Sequence, residues 1–114
     1  MKRKIAILGS TGSIGKSLIN IIKKDKKNIE ILLITANKNI GELIKQEKLL
    51  NIKNIIVTDH KKFLFIKKLF NKKKINIYNN FNAISKIFNK KKIDYIMNAI
   101  SGLDGLEPTL KIIK

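Results

Sequence analysis

Apolar positions along the 114-residue chain fall in short clusters, and the spacing inside the clusters changes in a regular way. Residues 4–8 are a continuous apolar run ended by glycine, the mark of a short buried strand. Residues 13–24 switch to helical spacing, with Ile14, Leu18, Ile21 and Ile22 on one face. A polar turn at 25–28 leads to a second strand at 29–35, rich in Ile and Leu. After a loop at 36–39, residues 40–50 read as a second helix with Ile40, Leu43, Ile44 and Leu50 on a common side. Residues 54–58 are a short β-branched strand. Asp59 then caps a third helix that runs to Phe70 and turns Phe63, Ile66 and Phe70 inward. A minor strand follows at 75–78. Asn80 or Asn82 caps a short helix carrying Ile84, Ile87 and Phe88, and residues 94–98 make a fifth strand. Residues 101–105 are a loop. A last helix starts near Leu106, tolerates Pro108 in its first turn and is still running at Lys114.

Strand and helix alternate with short connections, which predicts a parallel sheet covered by helices on both faces. The fold class expected is α/β, a Rossmann-type doubly wound sheet in three layers. Residues 1–114 form one domain, with no internal repeat and no linker. A final helix without a cap, a glycine or a polar tail suggests a sheet truncated at its C-terminal end, as in a piece of a longer chain.

The first strand runs into Gly9-Ser10-Thr11-Gly12-Ser13-Ile14-Gly15. Strand, glycine turn and helix in that order are the context of a dinucleotide-binding loop. Gly9 can turn the chain sharply off the strand. Gly12 lets a pyrophosphate approach the backbone, and Gly15 lets the helix pack closely on the sheet. The free N–H groups of the helix start then face the phosphates. Thr11 and Ser13 add hydroxyl donors at the same place.

Charge changes this picture little. The formal net charge is +17, but Arg3 is the only arginine, and Ile, Lys and Asn together make up about half of the chain. Lysines occur in every segment, as in an AT-rich codon bias, and their clusters at 23–24, 26–27, 72–74 and 90–92 fall at helix ends and loops. A solvated surface therefore accounts for them better than a specific nucleic-acid face, which would favour Arg. Cysteine is absent, which excludes disulfides and thiolate chemistry. No apolar run reaches membrane-spanning length, and the four apolar residues after Lys2, Arg3 and Lys4 are too few for a signal peptide's apolar region, so a cytoplasmic protein is expected.

Candidate catalytic chemistry is sparse. His60, the single histidine, sits at a helix start, where a capping or surface role is expected. Asp94, Asp104 and Glu107 are spread over a strand start, a loop and a helix start; Asp104 and Glu107 read as acids that favour a helix N-terminus. The seven aromatic residues, Phe63, Phe65, Phe70, Phe81, Phe88, Tyr78 and Tyr95, read as core or core edge. The second strand bears on cofactor choice. NAD-binding versions of this fold place an acid at its end to hold the ribose 2′-hydroxyl. Here the strand ends Thr35-Ala36-Asn37-Lys38-Asn39, with no acid and with a lysine that attracts a 2′-phosphate. NADP is favoured over NAD, and Lys38 is the candidate phosphate ligand.

Three stretches together resemble the 1-deoxy-D-xylulose 5-phosphate reductoisomerase family: residues 5–15; Ala36-Asn37-Lys38-Asn39, against the family's Ala-Gly-Lys-Asn; and residues 97–110, against a segment of Ala-Ile-x-Gly-x-x-Gly-Leu-x-Pro-Thr type. The resemblance implies an NADPH-dependent enzyme of non-mevalonate isoprenoid biosynthesis that rearranges and reduces 1-deoxy-D-xylulose 5-phosphate to 2-C-methyl-D-erythritol 4-phosphate. It implies that Thr11, Gly12, Ser13 and Ile14 contact the cofactor's phosphates and ribose. Asn37, Lys38 and Asn39 would hold the 2′-phosphate end, and Ala99 and Ile100 would face the nicotinamide. Asn37 stands where the family has glycine; Asn is the next best residue for a left-handed backbone, so the loop is expected to keep its shape. In the family, the divalent metal (Mg or Mn), the acidic ligands and the substrate-phosphate site lie beyond the last residue of this chain. The resemblance therefore implies a piece that is inactive alone, with no catalytic residue and no metal site, belonging to an enzyme that is a homodimer when full length. Two alternatives remain at this point: a reductase of the semialdehyde dehydrogenase type, and a non-catalytic basic module that binds nucleic acid.

Overall fold

A computed structural model describes residues 3–90, 93–99 and 109–112. The elements in chain order are β1 (Arg3–Leu8), α1 (Ser13–Ile22) extended by a 3₁₀ turn (Lys23–Asp25), β2 (Ile29–Ala36), α2 (Ile40–Leu50), β3 (Asn54–Val57), α3 (His60–Leu69), β4 (Asn76–Tyr78), α4 (Ala83–Lys90), β5 (Tyr95–Asn98) and β6 (Thr109–Ile112). The sheet order is β4-β3-β2-β1-β5-β6. The first five strands are parallel. The chain winds outward from β1 to β4, then returns through α4 to place β5 on the other side of β1. That reversal between β1 and β5 is the topological switch point of a doubly wound sheet.

Two cores follow from the alternation of side chains along the strands. Ile5, Ile7, Ile31, Ile55 and Val57 face the layer that holds α1, α2 and α3, where Ile19, Ile22, Leu43, Ile66 and Phe70 meet them. Ala6, Leu32, Leu33 and Ile56 face the opposite layer, with Ile87 of α4. Strand β2 breaks the alternation. Its register against β1 slips between Ile5 and Ala6, so Leu32 is an extra residue and both Leu32 and Leu33 point to the α4 side. The buried Asn54 side chain donates to the Leu32 carbonyl at 2.8 Å and supplies a partner at the irregular position.

Three expectations need correction. The buried face of α1 is Gly15, Ile19 and Ile22, with Leu18 beside them, whereas Ile14 and Ile21 are exposed, Ile21 by 65%. The rotation is set by Gly15: a Cβ there would lie 2.4 Å from the Gly9 carbonyl oxygen and 2.5 Å from Ser10 Cα. The helix therefore packs on the loop through its glycine, and positions three, four and seven further on face the core. Second, Thr109–Ile112 form a strand, not the expected helix. They pair antiparallel with β5, with Thr109 opposite Asn98 and Ile112 opposite Tyr95. With β1 on one side of β5, the other edge offers a row of backbone donors and acceptors, and a segment with β-branched Thr109 and Ile112 suits it. The sheet is thus mixed at this edge. Third, Phe65 and Phe81 are exposed instead of lying at the core. The expected loop at 101–105, Pro108, Asp104 and Glu107 lie outside the described residues, as does the side chain of Phe88.

Among the described residues no helix is long and apolar enough to cross a membrane. Every lysine whose burial is described is exposed except the half-buried Lys4. The ion pair formed among the described residues joins Lys73 to the buried Glu47 at 2.9 Å.

Candidate dinucleotide site

A cleft of about 330 Å³ opens at the carboxyl ends of the strands, beside the switch point. Gly9, Thr11 and Gly12 form one wall, and Thr35, Ala36 and Asn37 at the end of β2 form the next. Thr58 after β3, Phe81 before α4 and Ala99 after β5 complete it. The strand ends are stitched together by the backbone: Ser10 N–H donates to Thr35, Thr58 N–H to Ala36 and Ala99 N–H to Leu8, each at 2.8–3.0 Å.

The three glycines of the loop have three different surroundings. Gly9 has φ 76°, a left-handed conformation that side chains disfavour. Gly15 has no room for a Cβ, as described above. Gly12 has neither constraint. Its φ of −78° and ψ of 178° suit any residue, and a Cβ placed there would find its nearest neighbour 3.9 Å away. Gly12 is also the N-cap of α1, and no side chain caps that helix. Its first turn contains no acid. The helix start therefore presents backbone N–H groups and the positive end of the helix dipole at the cleft.

Of the residues singled out from sequence, Thr11, Gly12, Asn37 and Ala99 line the cleft. Ser13, Ile14, Lys38 and Asn39 are exposed near it without lining it. Ile100 lies outside the described residues. Lys38 instead lines a neighbouring depression with Asp59, His60, Lys61 and Lys62 at the start of α3. Asn37 does not adopt the left-handed backbone expected of it; Asn51, the C-cap of α2, is the non-glycine residue that does so among the described residues, at φ 54°. Asn37 is held by its contacts with the next strand end: Thr58 Oγ1 donates to Asn37 Oδ1 at 3.0 Å, and Asp59 N–H donates to the Asn37 carbonyl at 3.3 Å. Asn39 is the N-cap of α2 and accepts from Glu42 N–H. His60 is the exposed first residue of α3, as expected. Asp94 accepts from Lys4 N–H at 2.8 Å, far along the sheet from the cleft.

Sequence reasoning missed Thr35, Thr58 and Phe81 as lining residues. Thr35 was legible only as strand, yet its hydroxyl accepts from Gly9 N–H at 2.8 Å and holds the turn. Phe81 has an exposed aromatic face beside the cleft, and nothing in its sequence neighbourhood distinguishes it from a core aromatic. Among the described residues, no three of His, Asp and Glu gather closely enough to hold a metal ion.

A family model described as 1-deoxy-D-xylulose 5-phosphate reductoisomerase matches residues 5–114. The chain belongs to that family. It is 60% identical over 113 residues to 1-deoxy-D-xylulose 5-phosphate reductoisomerase of Pelagibacter ubique, a match that covers 98% of this chain and 29% of the relative. The enzyme of the same name from Phocaeicola vulgatus is 32% identical over 114 residues, covering all of this chain and 30% of the relative. The chain thus spans about a third of the length of these curated relatives. Among solved structures, the reductoisomerase of Zymomonas mobilis in complex with NADPH superposes with a TM-score of 0.78 at 26% identity, over 92% of this chain and 27% of that one. A reductoisomerase in complex with NADPH, fosmidomycin and magnesium shares the fold with a TM-score of 0.77 at 23% identity, over 91% of this chain and 26% of that one. Family membership sets aside the semialdehyde dehydrogenase alternative.

Proposed function

We propose that this chain is the NADPH-binding portion of an enzyme that converts 1-deoxy-D-xylulose 5-phosphate to 2-C-methyl-D-erythritol 4-phosphate in non-mevalonate isoprenoid biosynthesis. The observation that carries the reading is Gly12. Packing and backbone geometry explain Gly9 and Gly15 but leave Gly12 without a reason inside the chain. Open space in front of an uncapped helix start is what a pyrophosphate needs. In this reading Thr11, Gly12, Ser13 and Ile14 hold the phosphates through backbone N–H groups and hydroxyls. Asn37, Lys38 and Asn39 take the 2′-phosphate end, and Ala99 faces the nicotinamide. When bound, NADPH supplies the hydride that reduces the rearranged aldehyde.

The remaining parts belong to the same proposal. The full-length enzyme would use a divalent metal (Mg or Mn) held outside the residues described, take a phosphosugar as substrate, and work as a cytoplasmic homodimer. The 114-residue chain alone would bind NADPH without turning substrate over. Calorimetric titration of the chain with NADPH and NADH tests the reading. NADPH should bind about tenfold or more tightly than NADH, and Lys38→Ala should remove most of that difference by deleting one charge contact with the 2′-phosphate. Equal affinity for the two nucleotides, or no binding of either, would sink it. Oxidation of NADPH by the isolated chain with deoxyxylulose phosphate would overturn the inactivity of the piece.

A further inference from the structure

The glycine loop is braced from behind by a side chain that a ligand in the cleft would never touch. Gln46 of α2 is 1% exposed, and Ser10 is fully buried against it. Ser10 Oγ donates to Gln46 Oε1 at 2.6 Å, and Gln46 Nε2 donates back to the Ser10 carbonyl at 2.8 Å. The same Nε2 reaches Glu42 Oε2 at 3.4 Å. Glu42 in turn donates its backbone N–H to Asn39 Oδ1 at 3.3 Å. On the strand side, Thr35 takes Gly9 N–H on its hydroxyl and Ser10 N–H on its carbonyl. Gln46 is thus bonded to the glycine loop on one side and to the Glu42 side chain on the other, and the helix that carries both, α2, is itself capped by Asn39 of the loop of residues 37–39.

The chemistry of the amide matters here. Gln carries an acceptor and two donors on one planar group, so it can close a two-bond ring with Ser10 and still reach Glu42. An apolar side chain would fill this space in a core of Ile and Leu, and a buried neutral hydrogen bond contributes only modestly to net stability. What the amide adds is a defined position for the Ser10 peptide, one residue from each wall-forming neighbour, Gly9 and Thr11.

We propose that Gln46 is a positioning residue for the dinucleotide, fixing the glycine loop and its separation from residues 37–39 so that the pyrophosphate and the 2′-phosphate are met at once. The inference rests on the NADPH reading of the cleft. Its test uses the full-length enzyme that carries this chain, with NADPH followed by its fluorescence and by steady-state kinetics. Gln46→Met should raise the NADPH Kd and the NADPH KM about tenfold, while kcat and the KM for the sugar phosphate stay within about twofold. Gln46→Glu serves where the methionine variant fails to fold and adds a signature of its own. Its carboxylate can accept from Ser10 Oγ but cannot donate to the Ser10 carbonyl, so NADPH binding should be weak near about pH 8. Burial and the Glu42 carboxylate beside it raise the introduced carboxyl above the usual glutamate range, and the protonated acid can donate, so affinity, measured against wild type at the same pH, should recover as the pH falls toward about 5.5. Wild-type protein that fails to bind NADPH would remove the underlying reading together with this extension. Wild type that binds, alongside a folded Gln46 variant of unchanged affinity at both pH values, would overturn the positioning role alone.

Discussion

The three helices on one face of the sheet begin in two ways. α2 and α3 start with a side chain that closes the first turn: Asn39 Oδ1 accepts from Glu42 N–H, and Asp59 Oδ2 accepts from Lys62 N–H. α1 starts at Gly12 with no such acceptor. A side-chain cap stabilises a helix by about 1 kcal/mol, so a bare start is a local weakness. Capping types are near at hand, since Thr11 and Ser13 flank Gly12, yet the cap position itself holds a glycine with open space before it. The comparison teaches that α2 and α3 use a side chain to close the first turn, whereas α1 leaves the same backbone groups without a side-chain partner, as the proposed phosphate site requires.

The largest effect in that comparison should come from Gly15, which sets how α1 meets the loop. Gly15→Ala forces a Cβ into the Gly9 and Ser10 backbone and should destabilise the protein by about 3 kcal/mol, read from denaturant unfolding. Retention of wild-type stability would mean that α1 can back away from the sheet without cost. Next comes Gly12→Asp, which gives α1 the cap that α3 already has. It should raise stability by about 0.5 kcal/mol and weaken NADPH binding about a hundredfold, because its carboxylate both occupies the N–H groups and repels phosphate. The opposite signs are the diagnostic feature, and a calorimetric titration beside a thermal melt reads both. If stability and affinity fall together, the bare start is not reserved for an anion. The smallest effect belongs to the ordinary helix start. Asp59→Ala should cost about 1 kcal/mol of stability without weakening NADPH binding, since the carboxylate serves the helix and lies beside Lys38.

The parts of the molecule that were legible in the sequence are those governed by local rules. The order and type of the first five strands and four helices follow from apolar spacing and from caps such as Asp59. The turn at Gly9 and the tight packing of Gly15 follow from a glycine pattern placed between a strand and a helix. What was not legible depends on partners distant in the chain. The face of α1 is the plainest case. Counting isoleucines selects Ile14 and Ile21, but the helix rotates to put a glycine, which has no hydrophobicity to count, against the Ser10 backbone. The polar groups Gln46 and Asn54 read as surface in a single sequence, because only the folded chain brings the Ser10 peptide and the bulged Leu32 carbonyl to them.

The site divides in the same way. Of the residues that line the cleft, Gly9, Thr11, Gly12, Ala36 and Asn37 stand in the two contiguous stretches that the sequence marks. Thr58 and Phe81 enter the cleft from separate strand ends, and no spacing along the chain links them. The end of the sheet shows the limit of local propensity most directly. Residues from Leu106 onward carry a helical pattern, but Thr109–Ile112 complete β5 as an antiparallel edge strand. The sequence alone determined a strand–glycine–helix unit able to meet a phosphate and a second strand without an acid to oppose a 2′-phosphate. Tertiary structure decided how α1 is turned, which side chains close the cleft and which buried amide holds the loop, because those outcomes depend on close approaches between segments that only folding brings together.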